Sequence, residues 1–439
     1  MHPVLVHAVL TSPRYDPLAS EHALSTGASV SDREHSLSTT IALCFAAALF
    51  DGLDIVAPGL VAPLLVADFT LSPVQMGRLF SASTVGLLLG ALYGGWLADR
   101  IGRKRVLIAS MITFGLMSLV TAAAATTPVL FAGRFLTGLG LGGALPNLIA
   151  LSAEAGPPEK RTTLVTLMYS GVPLGGAVGG AITLWGGAAD NWRILFYVGG
   201  MAPLVLAAAL AFLLPESRLY ERTKSARTAA TKPQPSRRFV SVLFGRGVAR
   251  TTLLLWIAFF CTLLILYLLV NWLPLLFVNA GYSRPDAAIA TIVFNVGGGL
   301  GAISLGVMLD RGRKHIVMLA SFVGMAASLF ALLLAFRSPG GALAGAAAAA
   351  FAVGVFVIGT QLALYGTAPN YYATAVRGTG VGAAVAAGRV GSIAGPLVAG
   401  SLLGAGGNAA SVLTALLPVV AVAAIAAFLL LHRPVPIET

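Results

Sequence analysis

Gly94-Gly95-Trp96-Leu97-Ala98-Asp99-Arg100-Ile101-Gly102-Arg103-Lys104-Arg105 closes one long apolar stretch, and Met308-Leu309-Asp310-Arg311-Gly312-Arg313-Lys314 closes another in the second half of the chain. Each puts an aspartate, an arginine, a glycine and a basic pair at the end of a run long enough to cross a bilayer, which takes about 20 residues. The same signal at two equivalent places predicts an internal repeat of two halves with the same orientation. Outward from these loops, apolar runs lie at 40–66, 76–98, 106–126, 129–152, 162–186 and 193–214, then at 251–277, 287–309, 315–336, 341–366, 378–403 and 409–431. The expected fold is an all-α membrane protein with twelve transmembrane helices. Two six-helix halves, 39–215 and 251–432, are joined by a polar linker, 216–250, and flanked by tails at 1–38 and 433–439.

Composition agrees. Of 439 residues, 57% are hydrophobic and 10% charged, where a soluble domain carries roughly 25% charged residues. The net charge of +12 does not point to nucleic acid, because the basic residues sit in short tracts between apolar runs. Of 28 Lys and Arg, 22 fall on the side of the termini and linker, four (Arg78, Arg193, Arg284, Arg337) on the other, and Arg134 and Arg389 lie within apolar runs. The positive-inside rule then places both termini and the linker in the cytoplasm. Residues 1–38 lack a basic n-region and a cleavage site, so a disordered cytoplasmic tail, or a start codon set too far upstream, is expected there. Cys44 and Cys261 both lie in apolar runs and read as packing residues. No metal-ligand cluster, phosphate loop or nucleophile motif stands in a fitting context, which argues against an enzyme.

Asp51 and Asp54 sit near the middle of the first apolar run. An ionised aspartate at mid-bilayer costs at least ~2.5 kcal/mol, and acids kept there mark ion or proton pathways. Three residues apart on a helix, they share a face.

Parallel repeats with a central site are the architecture of the major facilitator fold, and Gly94–Arg105 closely resembles the loop signature of that superfamily. The resemblance implies a cytoplasmic conformational latch: Asp99 pairs with a basic group or helix N-terminus of the other half. Arg103, Glu154, Arg161, Asp310 and Arg377 belong to the same gating charges. Phe50-Asp51-Gly52-Leu53-Asp54 resembles the signature of the aromatic acid:proton symporters, the hydroxybenzoate and protocatechuate type. The fourth helix, Arg134-Phe135-Leu136-Thr137-Gly138-Leu139-Gly140-Leu141-Gly142-Gly143 through Pro146-Asn147, resembles that family too. So do Pro173–Gly176, Trp272-Leu273-Pro274, Val376–Gly382 and Gly388–Ser392.

That resemblance implies import of a small aromatic carboxylate by alternating access, driven by the proton gradient with no other cofactor. Its partners are the acid, the proton and the lipid bilayer, in a carrier that works as a monomer. Arg134 offers a fork that matches a carboxylate. A fixed salt bridge to Asp51 or Asp54 is the alternative reading of that arginine. Arg389 is a second anion contact or a structural counter-ion. Asp54 is expected to carry the proton, with Asp51 modulating it. Tyr169, Tyr267, Asn271, Asn295, Gln361 and Tyr365 are candidates for an apolar slot with a few polar groups, each with packing or helix-to-helix hydrogen bonding as its alternative reading, and His315 opens the ninth helix, with a polar loop residue near the headgroups as its alternative. Departures from the family fall at Gln361–Gly366, Asn370–Thr374 and Asn295, near the expected cavity. Competing readings are a symporter of another organic anion, an exporter, and a membrane sensor that transports nothing.

Overall fold

The computed structural model describes residues 30–432 apart from 158–159, 186, 188–189, 218–242, 246–247, 313, 338–341 and 373–375. Most of the linker, residues 1–29 and the tail 433–439 lie outside the described residues, as do the side chains of Asp310 and Lys314. The described helices are α1 (Val30–Leu60), α2 (Ala62–Phe69), α3 (Pro73–Ile101), α4 (Arg103–Ala122), α5 (Thr127–Ala155), α6 (Arg161–Tyr169) and α7 (Gly171–Trp185). After them come α8 (Arg193–Leu213), α9 (Ala249–Asn279), α10 (Arg284–Asp310), α11 (Lys314–Arg337), α12 (Leu343–Thr367), α13 (Arg377–Gly404) and α14 (Ala409–Leu431). Among the described residues twelve spans are long and apolar enough to cross a membrane, and the chain is a multi-pass membrane protein.

Several boundaries depart from the sequence reading. The first span ends at Leu60, and Val61 breaks the chain before α2 because Pro63 enters at that helix's first turn. The next span starts at Pro73 rather than 76. Ser72 and Gln75 form a reciprocal capping box there, which satisfies two orphan N–H groups. The fifth span is two helices that meet at Ser170. Part of the expected tail is helical, since α1 begins at Val30.

The repeat is visible in detail. In the first half α1 packs on α7, α3 on α5 and α4 on α8; in the second, α9 packs on α13, α10 on α12 and α11 on α14. Both second spans open on a serine capping box, Ser72 with Gln75 and Ser283 with Asp286. Both loop signatures turn on a glycine at positive φ, Gly102 at 105° and Gly312 at 78°, a conformation side chains with a Cβ disfavour.

Lipid tails are as apolar as leucine, so close backbone approach and hydrogen bonds hold such helices together. A Cβ on Gly52 would overlap the Val172 carbonyl, and one on Gly175 the Leu49 carbonyl, so these glycines set how near α1 and α7 come. The halves meet where α3 packs on α13, α7 on α10 and α1 on α9. Ser81 Oγ donates to the Ile393 carbonyl across this seam at 2.8 Å. The Phe80 ring meets Trp272 edge-on at 5.3 Å, and Trp272 Nε1 donates to Pro396 O at 3.1 Å. All of these contacts lie toward the end opposite the basic loops.

Candidate functional site

Three helices of the first half and three of the second bring the polar candidates to the seam. On α1, Asp51 is 6% exposed and Asp54 1%. Arg134 of α5, itself 1% exposed, donates from Nη1 to Asp54 Oδ1 and from Nη2 to Oδ2, both at 2.8 Å. Nη2 also reaches Ser83 Oγ on α3 at 3.3 Å, and the guanidinium lies 5.4 Å from the Phe196 ring of α8. The fork that the sequence reading offered to a substrate carboxylate is therefore held by Asp54, as its alternative foresaw. Of this guanidinium, Nε alone is buried without a partner among the described residues.

Asp51 differs. Its Oδ1 is buried with no hydrogen-bond partner among the described residues. Its strongest charged neighbour is Arg389, on α13 of the opposite half, and Asp54 is the next. Arg389 donates from Nη1 to Tyr267 Oη at 2.7 Å, and no carboxylate stands within ion-pair distance of it among the described residues. Tyr169 of α6 is an electrostatic neighbour of Asp51, Arg389, Tyr267 and Tyr365 together. The result is a seam site with an acid and a phenol on one wall, and a cation and two phenols on the other. Tyr365 packs edge-on against Phe259 at 5.2 Å, which supplies an apolar face.

A cavity continues from this point between the halves. It is lined by Pro58, Phe80, Ser83, Arg134, Tyr267 and Asn271, among others. Asn271 donates to the Tyr267 carbonyl at 2.7 Å, and Tyr267, whose hydroxyl bonds Arg389, belongs both to the cavity and to the Arg389 neighbourhood. Asn295 is placed elsewhere. Its carboxamide fills the space over Gly176 where α7 meets α10, and Nδ2 donates to Thr291 O at 2.9 Å. It packs where the two halves meet, one of the two readings that the sequence leaves open for it. Gln361 is 2% exposed, and its amide meets Thr262 Oγ1 at 2.7 Å.

The gating candidates separate into two groups. Arg103, at the start of α4, forms an ion pair with Glu154 near the end of α5. Glu154 Oε2 also accepts from Ser217 Oγ at 2.6 Å, while Glu216 Oε1 accepts from the backbone N–H of Lys104 at 3.0 Å and of Ser217 at 2.9 Å. Lys104 Nζ donates to Ala211 O at 2.8 Å. This network ties α4, α5 and the start of the linker within the first half. Asp99, Arg161 and Arg377 are exposed at the same end. His315 lies at the start of α11 with its ring 5.8 Å from that of His432.

Sequence reasoning missed Ser83, Thr262, Glu216 and Ser217. The last two had a signal, since they follow Pro215 where α8 has just ended, and a carboxylate there can cap the neighbouring N-terminus of α4. Ser83 and Thr262 are small hydroxyl residues in apolar helices, and nothing in the sequence separates them from others of that kind.

The model of the Major Facilitator Superfamily matches residues 43–311. A 3-(3-hydroxy-phenyl)propionate transporter of Escherichia coli K12 is 45% identical over 398 residues, covering 90% of this chain and 94% of its own. A 4-hydroxybenzoate transporter, PcaK, of Pseudomonas aeruginosa is 36% identical over 412 residues, covering 89% of this chain and 91% of its own. Among solved structures, that of a D-xylose-proton symporter superposes with a TM-score of 0.71 at 18% identity, over 91% of this chain and 98% of the other. That likeness speaks for the fold alone.

Proposed function

The chain belongs to the major facilitator superfamily, in its aromatic acid transporter family, and from that premise we propose that it imports a small hydroxylated or unsubstituted aromatic carboxylate together with a proton. The observation that carries this reading is the seam site. A buried aspartate with an unbonded oxygen stands on one half, and an arginine bonded to a neutral phenol stands on the other. Leaving a buried polar group unpaired is costly, and an anion and a proton arriving together relieve both groups at once. The carboxylate docks on Arg389, the ring lies among Tyr169, Tyr267 and Tyr365, and the proton rides on the α1 acids. The Asp54–Arg134 pair fixes the charge of the first half, while Asp51 keeps an unbonded oxygen with Arg389 as its charged neighbour.

Contacts across the seam toward the end opposite the basic loops close the site on that side, which fits an inward-facing state in alternating access. The distribution of Lys and Arg supports an inner-membrane carrier with both termini in the cytoplasm. Each chain holds a complete seam site, which supports transport by a monomer, and the proton gradient serves as the energy source without a cofactor.

The test is uptake of labelled 3-(3-hydroxyphenyl)propionate and 4-hydroxybenzoate into energised vesicles containing the full chain. Accumulation that a protonophore abolishes is the expected result. Uptake that survives the protonophore removes proton coupling. Extrusion in place of accumulation makes the protein an exporter, and failure to move any aromatic acid removes the substrate class.

A further inference from the structure

The cavity between the halves has apolar walls at Pro58, Phe80, Leu87 and Leu141, and three polar side chains on its lining have bonding capacity left over. Arg134 is 1% exposed, and its Nε is a buried donor with no partner among the described residues. Ser83 Oγ accepts from Arg134 Nη2 at 3.3 Å, and no described residue receives the hydroxyl proton. Asn271 is 5% exposed, and its Nδ2 donates to Tyr267 O at 2.7 Å. A carbonyl only accepts, so that bond fixes which end of the amide is which. Asn271 Oδ1 is then an acceptor to which no described residue donates. Thr84, on the same lining, is already spent, since its hydroxyl donates to Phe80 O at 3.3 Å.

The charge of the site decides what such a set receives. Asp54 offsets Arg134 through two bonds of 2.8 Å, so the cavity offers donors without a net positive charge. A carboxylate placed there would have Asp54 as a like-charged neighbour. Two spare donors and a spare acceptor in one apolar-walled space suit a neutral O–H, which accepts and donates at once. Tyr267 joins this space to the cation across the seam, because its hydroxyl takes the bond from Arg389 Nη1 at 2.7 Å and its side chain lines the cavity. We propose that this cavity is the hydroxyl subsite of the carrier: a ring hydroxyl of the transported acid accepts from Arg134 Nε and Ser83 Oγ and donates to Asn271 Oδ1, while the carboxylate docks on Arg389. This rests on the aromatic-acid reading above and adds the residues that read the ring substituent. A site built to bond a hydroxyl discriminates strongly against the analogue that leaves its polar groups unpaired.

The experiment uses the full chain in proteoliposomes, with labelled 3-(3-hydroxyphenyl)propionate competed by its unlabelled form, by 3-(3-fluorophenyl)propionate and by 3-phenylpropionate. Fluorine is close to a hydroxyl in size, donates nothing and accepts poorly, so the comparison isolates hydrogen bonding from fit. In the wild type both analogues compete about tenfold more weakly than the hydroxy acid, or worse, the size of one hydrogen bond to a charged group. Asn271→Leu and Ser83→Ala each lower that ratio about threefold, the size of one neutral hydrogen bond, whatever the absolute rate. The double variant brings it toward one. A wild type that takes the fluoro acid as well as the hydroxy acid overturns the proposal with no variant needed, and the cavity then holds no more than water. A double variant that keeps the full preference overturns it too. In both of those cases the importer reading stands, whereas absence of competition by every aromatic acid overturns the importer reading itself and this assignment with it.

Discussion

Arg134 grips Asp54 with both terminal nitrogens, each at 2.8 Å, while Asp51, one turn earlier on the same helix, has an oxygen that nothing among the described residues bonds. Two acids three residues apart are thereby given unlike surroundings. Breaking a buried pair by removing one partner costs about 3–5 kcal/mol, because it strands the other charge. Asp54→Asn and Arg134→Gln are each expected to lower folded yield and melting temperature in detergent, and the double variant to regain much of both. Neither single variant nor the double should accumulate substrate. A double variant with wild-type accumulation would make the pair purely structural. Arg134→Lys should also fail in uptake, since an ammonium cannot make the bidentate fork.

Asp51→Asn separates binding from coupling. The variant keeps Arg389 and the tyrosines, so counterflow exchange of labelled acid across de-energised proteoliposomes should persist at a reduced rate. Protonophore-sensitive accumulation should vanish. In the wild type, initial uptake rises as external pH is lowered at fixed internal pH, because the proton enters with the anion. In Asp51→Asn that slope flattens. Retention of the wild-type slope would take Asp51 out of the proton path.

How much of this was readable beforehand depends on what each residue had to tell the chain about itself. Asp51, Asp54, Arg134 and Arg389 announced themselves, since a charge in an apolar span is expensive and is kept only for a reason. Their pairing did not. Which aspartate meets Arg134 depends on how α1 is turned toward α5, and α1 is placed by backbone contacts such as Gly52 on Val172 and Leu49 on Gly175 of its neighbour α7. For Asn295 the sequence leaves packing and substrate contact both open, because polarity says nothing about which face of a helix turns to the cavity; in the structure its carboxamide lies over Gly176. The repeat was legible down to the turn glycines Gly102 and Gly312, because positive φ leaves a mark in residue choice. The Thr262–Gln361 contact joins residues 99 apart in sequence and carried no such mark.

Gly175 is a test of how tightly α1 and α7 must approach. An added Cβ runs into the Leu49 carbonyl, a backbone atom that cannot rotate away. Gly175→Ala is expected to destabilise the fold by about 1–3 kcal/mol, the usual cost of overpacking, seen as a lower melting temperature and reduced abundance. Gly345→Ala, on α12 where an added Cβ meets nothing within 4 Å, should be neutral or slightly stabilising. Equal behaviour of the two variants would mean that α1 and α7 separate without penalty.

The network at the end of the basic loops makes the last prediction, because it joins α4 and α5 to the start of the linker through one carboxylate. Glu154 receives both the Arg103 guanidinium and the Ser217 hydroxyl, and Glu216 caps α4 through the Lys104 N–H. An arrangement partly open to water contributes modestly to global stability, about 0–1 kcal/mol for an exposed pair. Its larger effect should fall on the balance between transport states, because the linker is the covalent tie between the halves. Glu154→Gln weakens the Arg103 contact and keeps an acceptor for Ser217, and Ser217→Ala does the reverse. Both are expected to slow uptake several-fold, with little change in apparent affinity and little change in melting temperature. Exchanging the charges, Arg103→Glu with Glu154→Arg, should recover part of the rate lost in either single reversal. If the exchange is no better than the single reversals, the contact between the two charges is not what matters. The effect would then lie with Ser217 and the capping of α4.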